Sequence, residues 1–227
     1  MSRRDRLESS DGADGVDRSA GSNAASRFDR WAETYDRAVL ASEQFPLLGY
    51  RQTLTTVFRA AHVNPGMVVL DLGTGTGNLA RLFLEAGCEV WGTDFSQAML
   101  NKACQKLPHL HTRPADLLDP LPSGFPDRYD RIVSSYAFHH LAVGEKLALV
   151  RDLARDRLAQ GGWIVIGDVA FERAGDRDDA RERFADLWDA EEDYWAADEF
   201  TERLDAGLQW TYEQVAFCAG VYTIRPA

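Results

Sequence analysis

The 227-residue sequence predicts an α/β fold: a doubly wound, seven-stranded, mostly parallel sheet whose last strand is antiparallel, preceded by helices. Three observations carry this. Between residues 64 and 169, short apolar runs alternate with amphipathic ones, the pattern of a parallel sheet covered on both faces. "VLDLGTGTGNLARLFLEAG", residues 69–87, passes from an apolar strand through a glycine-rich turn into an amphipathic helix, an arrangement that holds adenosine-containing cofactors at a helix N-terminus. The chain ends on two β-rich runs, "LQWTYEQVAF" and "GVYTIRP", separated by "CAG", which read as an antiparallel pair.

Taken in order, residues 1–26 are rich in Ser, Gly, Asp and Arg and hold almost no large apolar side chain, so they are expected to be a disordered tail. Residues 27–227 are expected to form one domain. In its first part, 27–63, Phe28, Trp31 and Tyr35, then Leu47, Leu48, Leu54, Val57 and Phe58, recur at helical spacing. In the core, 64–170, strands are expected near 67–71, 89–94, 109–113, 129–135 and 162–169, with helices near 78–86, 96–106 and 144–159. Residues 171–207 are densely charged, yet Phe184, Leu187, Trp188 and Trp195 suggest a helical stripe, hence an acidic helical insertion packed on the top of the sheet. Residues 208–227 close the sheet. No internal repeat is apparent.

Composition narrows the function. The formal net charge of −11 and pI near 4.9 oppose sequence-independent binding to polyanions, so no nucleic-acid partner is expected. No apolar run approaches the roughly 18–20 residues of a membrane span, and the charged N-terminus lacks a signal-peptide core, so a cytoplasmic protein without a membrane partner is expected. Cys88, Cys104 and Cys218 are widely separated and odd in number, and read as buried thiols. His109 and His111 could share a strand face, but no neighbouring ligand completes a metal set, and no metal is expected.

The glycine turn distinguishes two cofactor classes. Gly73, Gly75 and Gly77 are spaced G-x-G-x-G, and Asn78 stands where the dinucleotide fingerprint places its third glycine. Asp71 precedes the turn; a carboxylate there is unhelpful beside a pyrophosphate and favourable beside a cationic amine and sulfonium. Asp94, at the end of the second strand, is placed to accept ribose hydroxyls. Asp116, in "PAD" after the third strand, is placed to accept from an adenine amino group. A nicotinamide oxidoreductase is thereby disfavoured.

"VLDLGTGTGNL", "GTDFSQAML", "PADLLD" and "YDRIVSSYAFHHL", in this order, resemble the successive motifs of class I S-adenosylmethionine-dependent methyltransferases. Through "FDRWAETYD", "GTGNL" and "IVSSYAFHHL" the chain is most similar to the small bacterial YrrT type, over roughly residues 27–170. The resemblance implies a Rossmann-like fold with an N-terminal helical lid, and S-adenosyl-L-methionine as cofactor. It implies that Gly73, Gly75 and Gly77 bring the backbone to the methionyl part, with Asp71 holding its amino group directly or through water. Asp94 would bind the ribose, Phe95 would pack on the adenine, Asp116 and Leu117 would read its amino group and ring, and Ser135 would line the methionyl side. In phosphoethanolamine-type methyltransferases, which share the architecture, a histidine at the position of His140 acts with an N-terminal tyrosine; this implies catalytic roles for His140 and Tyr35, with His139 in packing. Adjacent side chains are expected to point apart. Trp31 and Tyr35 are read either as lid or as helix core. The expected reaction is methyl transfer to a small-molecule acceptor, with a small thiol or sulfide suggested by the association of YrrT-type enzymes with methionine-to-cysteine recycling. Methylation of a protein or RNA and noncatalytic cofactor binding are the alternatives. The sequence leaves the oligomeric state open.

Overall fold

In the computed structural model, described for residues 32–201, 203 and 207–227, two helices, α1 (Tyr35–Ala41) and α2 (Tyr50–Ala61), precede the sheet. There follow β1 (Val68–Leu72), α3 (Asn78–Glu85), β2 (Glu89–Asp94), α4 (Gln97–Lys106), β3 (His111–Pro114), β4 (Tyr129–Ser135), α5 (Val143–Asp156) and β5 (Leu158–Phe171). The chain then forms α6 (Ala174–Arg183), the two-residue β6 (Trp195–Ala196), α7 (Ala197–Thr201), β7 (Leu208–Ala216) and β8 (Ala219–Pro226). The tail of residues 1–26, with Phe28 and Trp31, lies outside the described residues.

The strand order is β3-β2-β1-β4-β5-β8-β7, with β6 paired to β5 off this path. β1 to β5 pair in parallel, and β8 runs antiparallel to both β5 and β7. This is the predicted mostly parallel sheet. Its central strands β1, β4 and β5 are apolar on both faces because both are covered. Along β1, Val69 joins the core beneath α2 and α3, whereas Leu70 and Leu72 join the opposite core, built on Leu147, Val150 and Leu153 of α5. On β5 the same alternation sends Val165 and Val169 one way and Ile164 and Ile166 the other.

The topology fixes where a ligand can sit. From β1 the chain winds outward through β2 and β3, then returns to place β4 on the other side of β1 and winds away through β5. The loops leaving β1 and β4 therefore diverge, opening a crevice at the carboxyl ends of these two strands. The hydroxyl of Ser134 donates to the Leu72 carbonyl at 2.7 Å and ties the two strand ends together at the base of the crevice.

The acidic segment departs from the expected helical stripe. α6 ends at Arg183, and a single 3-10 turn, Ala185–Leu187, follows. Phe184 and Trp188 instead stack on Phe45 of the α1–α2 connection, with ring centroids 5.1 and 5.6 Å apart, so the N-terminal and acidic segments meet over that ring. Leu187 is exposed, and Trp195 sits on β6 in the opposite core. Aromatic spacing within a charged run thus reflected separate anchors in extended and turn segments, where the helical period does not apply. Cys88 and Cys218 are buried as expected, but Cys104 is exposed, its thiol 3.1 Å from the Thr112 hydroxyl.

Candidate active site

A cleft of about 620 Å³ occupies the crevice. Tyr35, Gly73, Gly75, Asp94, Phe95, Asp116, Leu117, Ser135 and His140 all line it, so nine of the residues singled out in the sequence come together there. Asp71 and Gly77 do not line it.

One end is built from the β1 loop. Gly73 has φ +70°, and a Cβ there would come within 2.4 Å of the Ala137 Cβ on the loop after β4, so only glycine lets the two loops approach. Gly75 has φ +53°, and nothing lies within 4 Å of the position a Cβ would occupy: the backbone faces open cleft. Asp94 organises this end. Its Oδ2 accepts from the Gly75 N–H at 2.9 Å and its Oδ1 from the Ser96 N–H at 2.8 Å, joining the glycine loop to the start of α4. The carboxylate thus lines the cleft beside the glycine loop.

Asp71, expected to hold the ligand's amino group directly or through water, does not itself line the cleft. Its side chain is wholly buried under the loop, where Oδ2 accepts from the Thr74 hydroxyl at 2.7 Å and Oδ1 has no hydrogen-bond partner among the described residues. Burial raises its acid to about 7, opposed by the Thr74 bond and reinforced by the charge of Asp94. Asp71 therefore shapes the loop from behind, and any reach toward a ligand passes through an intermediary. Asp116 is exposed, and its Oδ1 accepts from the Leu118 N–H at 3.0 Å, which pins the turn that carries Leu117 into the cleft.

α1 closes over this end through a residue the sequence reading passed over. Asp36 accepts from the Thr76 hydroxyl, from Asn78 Nδ2 at 3.0 Å and from Lys106 Nζ at 2.7 Å, latching α1 to the glycine loop, α3 and α4 at once. Partial burial works against its ionisation, but the Lys106 and Thr76 contacts prevail and hold it below the usual carboxylate range. The sequence signal was the "YD" pair itself: Tyr35 and Asp36 start the helix together. The Tyr35 hydroxyl is pushed well above its ordinary value, first by burial and then by Tyr50, so Tyr35 is a hydrogen-bonding phenol and not a base near neutrality. Tyr50, raised to about 12, accepts from Asn78 at 3.3 Å, and its ring lies 4.9 Å from Tyr136.

The other end is made by the loop after β4 and the acidic segment. Here the expectation that His139 and His140 point apart is overturned. Both lie on a 3-10 turn, Phe138–His140, with ring centroids 4.2 Å apart, and both present a nitrogen 3.8 Å from Glu192 Oε1. On a 3-10 turn successive side chains are about 120° apart, where an extended strand would send them to opposite faces. His139 is buried as expected. Its Nδ1 lies 2.6 Å from Asp168 Oδ1, and its backbone N–H donates to Asp168 Oδ2 at 2.9 Å. Burial disfavours the imidazolium, but Asp168, with Glu192 beyond it, prevails and raises the histidine above its ordinary value; the same pairing overcomes burial to lower Asp168.

Glu192 is held from the acidic segment. The Tyr194 hydroxyl donates to its Oε2 at 2.6 Å. The next residue, Asp193, donates its N–H to the His139 carbonyl at 2.8 Å, and its carboxylate accepts from the Val143 N–H and from Lys146. Asp168 was visible in the sequence as a lone carboxylate inside the apolar run of β5. Glu192 was not, because nothing separates it from its acidic neighbours. His109 and His111 stay away from the cleft: His111 stacks on Trp91 at 4.3 Å, and the pair gathers no third ligand among the described residues.

Comparison with known proteins agrees with this architecture. A family model described as a methyltransferase domain matches residues 70–164. The uncharacterized methyltransferase YrrT of Bacillus subtilis (strain 168) is 36% identical over 153 residues, which cover 65% of this chain and 68% of that protein. The chain belongs to this family of class I S-adenosylmethionine-dependent methyltransferases. An uncharacterized methyltransferase of Anoxybacillus flavithermus (strain DSM 21510 / WK1) is 39% identical over 148 residues, 63% of this chain and 66% of that protein, so the matched region spans about two thirds of these relatives. A solved structure described as a DhpI–SAM–HEP complex superposes with a TM-score of 0.67 at 22% identity, covering 90% of this chain and 97% of the other, and shares the fold. The residues present fit the family's cofactor: an open position at Gly75 and the Asp94 carboxylate line the cleft at the strand switch point.

Proposed function

We propose that this protein transfers the methyl group of S-adenosyl-L-methionine to a small-molecule acceptor held at the His140–Glu192 end of the cleft, with a small thiol or sulfide as the first candidate. The observation that carries the reading is the polarity of one continuous cleft: glycine backbone and Asp94 at one end, imidazole and carboxylate at the other. A sulfonium-bound methyl group supplies an activated carbon, and its transfer gives S-adenosylhomocysteine.

The residues of the chain then have distinct tasks. Gly73 and Gly75 let the loop backbone reach the methionyl part, while Gly77, at φ +81° and with a Cβ position 2.7 Å from Leu107, closes the turn against α4; Asp94 accepts from the ribose; Phe95, Asp116 and Leu117 receive the adenine; Ser135 lines the methionyl side. Tyr35, held by Tyr50, covers the cofactor from α1 and offers its hydroxyl toward the acceptor. His140 takes the acceptor's proton or orients the acceptor, depending on the acceptor's own acidity. The Asp36 latch and the aromatic seam at Phe45 exclude water from above. A cleft of about 620 Å³ falls within the range of small-molecule sites, and the carboxylates Glu145, Asp189, Glu191 and Glu192 along it favour a small, uncharged or cationic acceptor over a polyanion.

The test is a panel of thiols, sulfide, amines and hydroxyl compounds with detection of S-adenosylhomocysteine, alongside calorimetry of S-adenosylmethionine against NAD. Turnover with one small acceptor class is expected. Binding of NAD in preference to S-adenosylmethionine, or binding without turnover across the panel, contradicts the proposal.

A further inference from the structure

We propose that His139 Nε2, His140 Nδ1 and Glu192 Oε1 form a binding site for one divalent transition-metal ion of the zinc class. The inference rests on the reading that the acceptor binds at this end of the cleft, and it assigns the means by which a thiol acceptor is made nucleophilic.

The three ligand atoms lie within 4.8 Å of one another, and they are the only such group of three among the described residues. Each imidazole nitrogen stands 3.8 Å from Glu192 Oε1, too far for a hydrogen bond and close to the spacing of two donors on a shared ion. Zinc holds nitrogen and oxygen at about 2.0–2.2 Å, so tetrahedral donors sit about 3.3–3.5 Å apart. Small side-chain rotations bring this set to that spacing.

The surroundings are those of ligands oriented from behind. Asp168, 2.6 Å from His139 Nδ1, fixes the tautomer that leaves Nε2 as the donor atom toward Glu192. A carboxylate in this position is the usual outer partner of a metal-bound histidine and raises its basicity. Glu192 is held in turn by the Tyr194 hydroxyl, and its backbone neighbour Asp193 is bonded to the His139 carbonyl, so the carboxylate and the histidine turn are registered by the fold. The charge balance suits a cation. Lys146, the basic group near this cluster, is paired with Asp193, which leaves the carboxylates of Asp168 and Glu192 facing the two imidazoles.

Two histidines and one carboxylate leave coordination positions open, and His140 and Glu192 both line the cleft, so the open side faces the acceptor. A thiol bound there loses its proton to solvent, and its sulfur keeps the electron pair that forms the new S–C bond. The bond between that carbon and the cofactor's sulfur breaks, with its pair returning to the sulfonium. His140 is then a ligand and not a base.

The site is tested by titrating chelator-treated full-length protein with Co²⁺ and with Zn²⁺, without acceptor or cofactor. We expect uptake of one ion per chain, visible Co²⁺ absorption of a low-coordinate nitrogen–oxygen site that Zn²⁺ displaces, and about tenfold or greater weakening in both Glu192→Gln and His140→Ala. Cys104→Ser and His111→Ala, which alter exposed metal-binding side chains away from the cluster, should leave uptake unchanged. Glu192 stands on a surface segment, so Glu192→Gln is expected to fold even if His140→Ala does not. Absence of stoichiometric uptake, or equal affinity in wild type and Glu192→Gln, overturns the site. S-adenosylhomocysteine calorimetry on the same samples reads the cofactor end separately, so a failed metal site and a failed methyltransferase reading give different results.

Discussion

The two ends of the cleft contain buried carboxylates that behave oppositely. Asp71, beneath the glycine loop, has a hydroxyl and another carboxylate for company, and burial raises its acid to about 7. Asp168, beneath the histidine turn, is as fully buried, yet His139 holds it below its ordinary value. At the cofactor end the backbone of the glycine loop and the Asp94 carboxylate face the cleft, while Asp71 is withdrawn beneath the loop. The acceptor end stores separated charges, as suits chemistry in which a proton or a cation must be handled. The two loops that leave β1 and β4 come close at Gly73 and Ala137, where the two ends of the cleft adjoin.

The largest effect expected is on the acceptor end. His140→Ala should lower single-turnover methyl transfer about 100-fold or more with the best acceptor, while leaving cofactor affinity nearly intact. Full activity at every pH would remove any chemical role for His140 and reduce the contrast to one of shape. The next test addresses the contact between the ends. Gly73→Ala puts a methyl group 2.4 Å from the Ala137 Cβ at a positive φ, and should destabilise the fold by about 1–3 kcal/mol in urea unfolding. An unchanged midpoint would mean that the loops are not held against each other.

Proton linkage sharpens the comparison further. Asp71 is raised from 3.8 to about 7 in the folded state, so the native chain binds the proton more tightly than the unfolded one between these values. Its contribution to stability is present below about pH 4 and is lost as pH rises through 7, and Asp71→Asn should remove that slope. Asp168, being lowered, contributes in the opposite sense: stability present above its ordinary value and lost as pH falls through the folded value. Urea unfolding of wild type and Asp71→Asn from pH 4 to 8 checks the sign; parallel curves would refute the assignment for Asp71. A smaller effect is expected at the latch. Asp36→Asn leaves the core untouched and should increase hydrogen exchange in residues 35–41 in the absence of ligand, with protection partly restored by S-adenosylhomocysteine. Exchange equal to wild type would make the Asp36 contacts incidental.

The same contrast explains what was legible in the sequence. The cofactor end is local: strand, glycine turn and helix lie within residues 68–85, and Asp94 and Asp116 follow at the ends of consecutive strands, so period and spacing were enough to place them. The mostly parallel sheet and its antiparallel close were readable from the alternation of strand and helix patterns and the two β-rich runs at the chain's end. The acceptor end is not local. Glu192 meets His139 and His140 across some fifty residues, through backbone bonds of Asp193 that no pattern announces. The convergence of adjacent histidines depends on a 3-10 turn three residues long, below what hydrophobic periodicity resolves. Asp71 was placed at the right loop with direct and water-mediated contact both open, since sequence gives a residue's position along a strand and not whether its side chain faces ligand or core.

The most direct test of a cleft divided between cofactor and acceptor is calorimetric titration of S-adenosylhomocysteine into Asp94→Ala and His140→Ala beside wild type. Loss of the charge-assisted bonds at Asp94 should weaken binding by about 1.5–3 kcal/mol, whereas His140→Ala should stay close to wild type. Unchanged affinity in a folded Asp94→Ala, or an equal loss in both variants, would contradict the division.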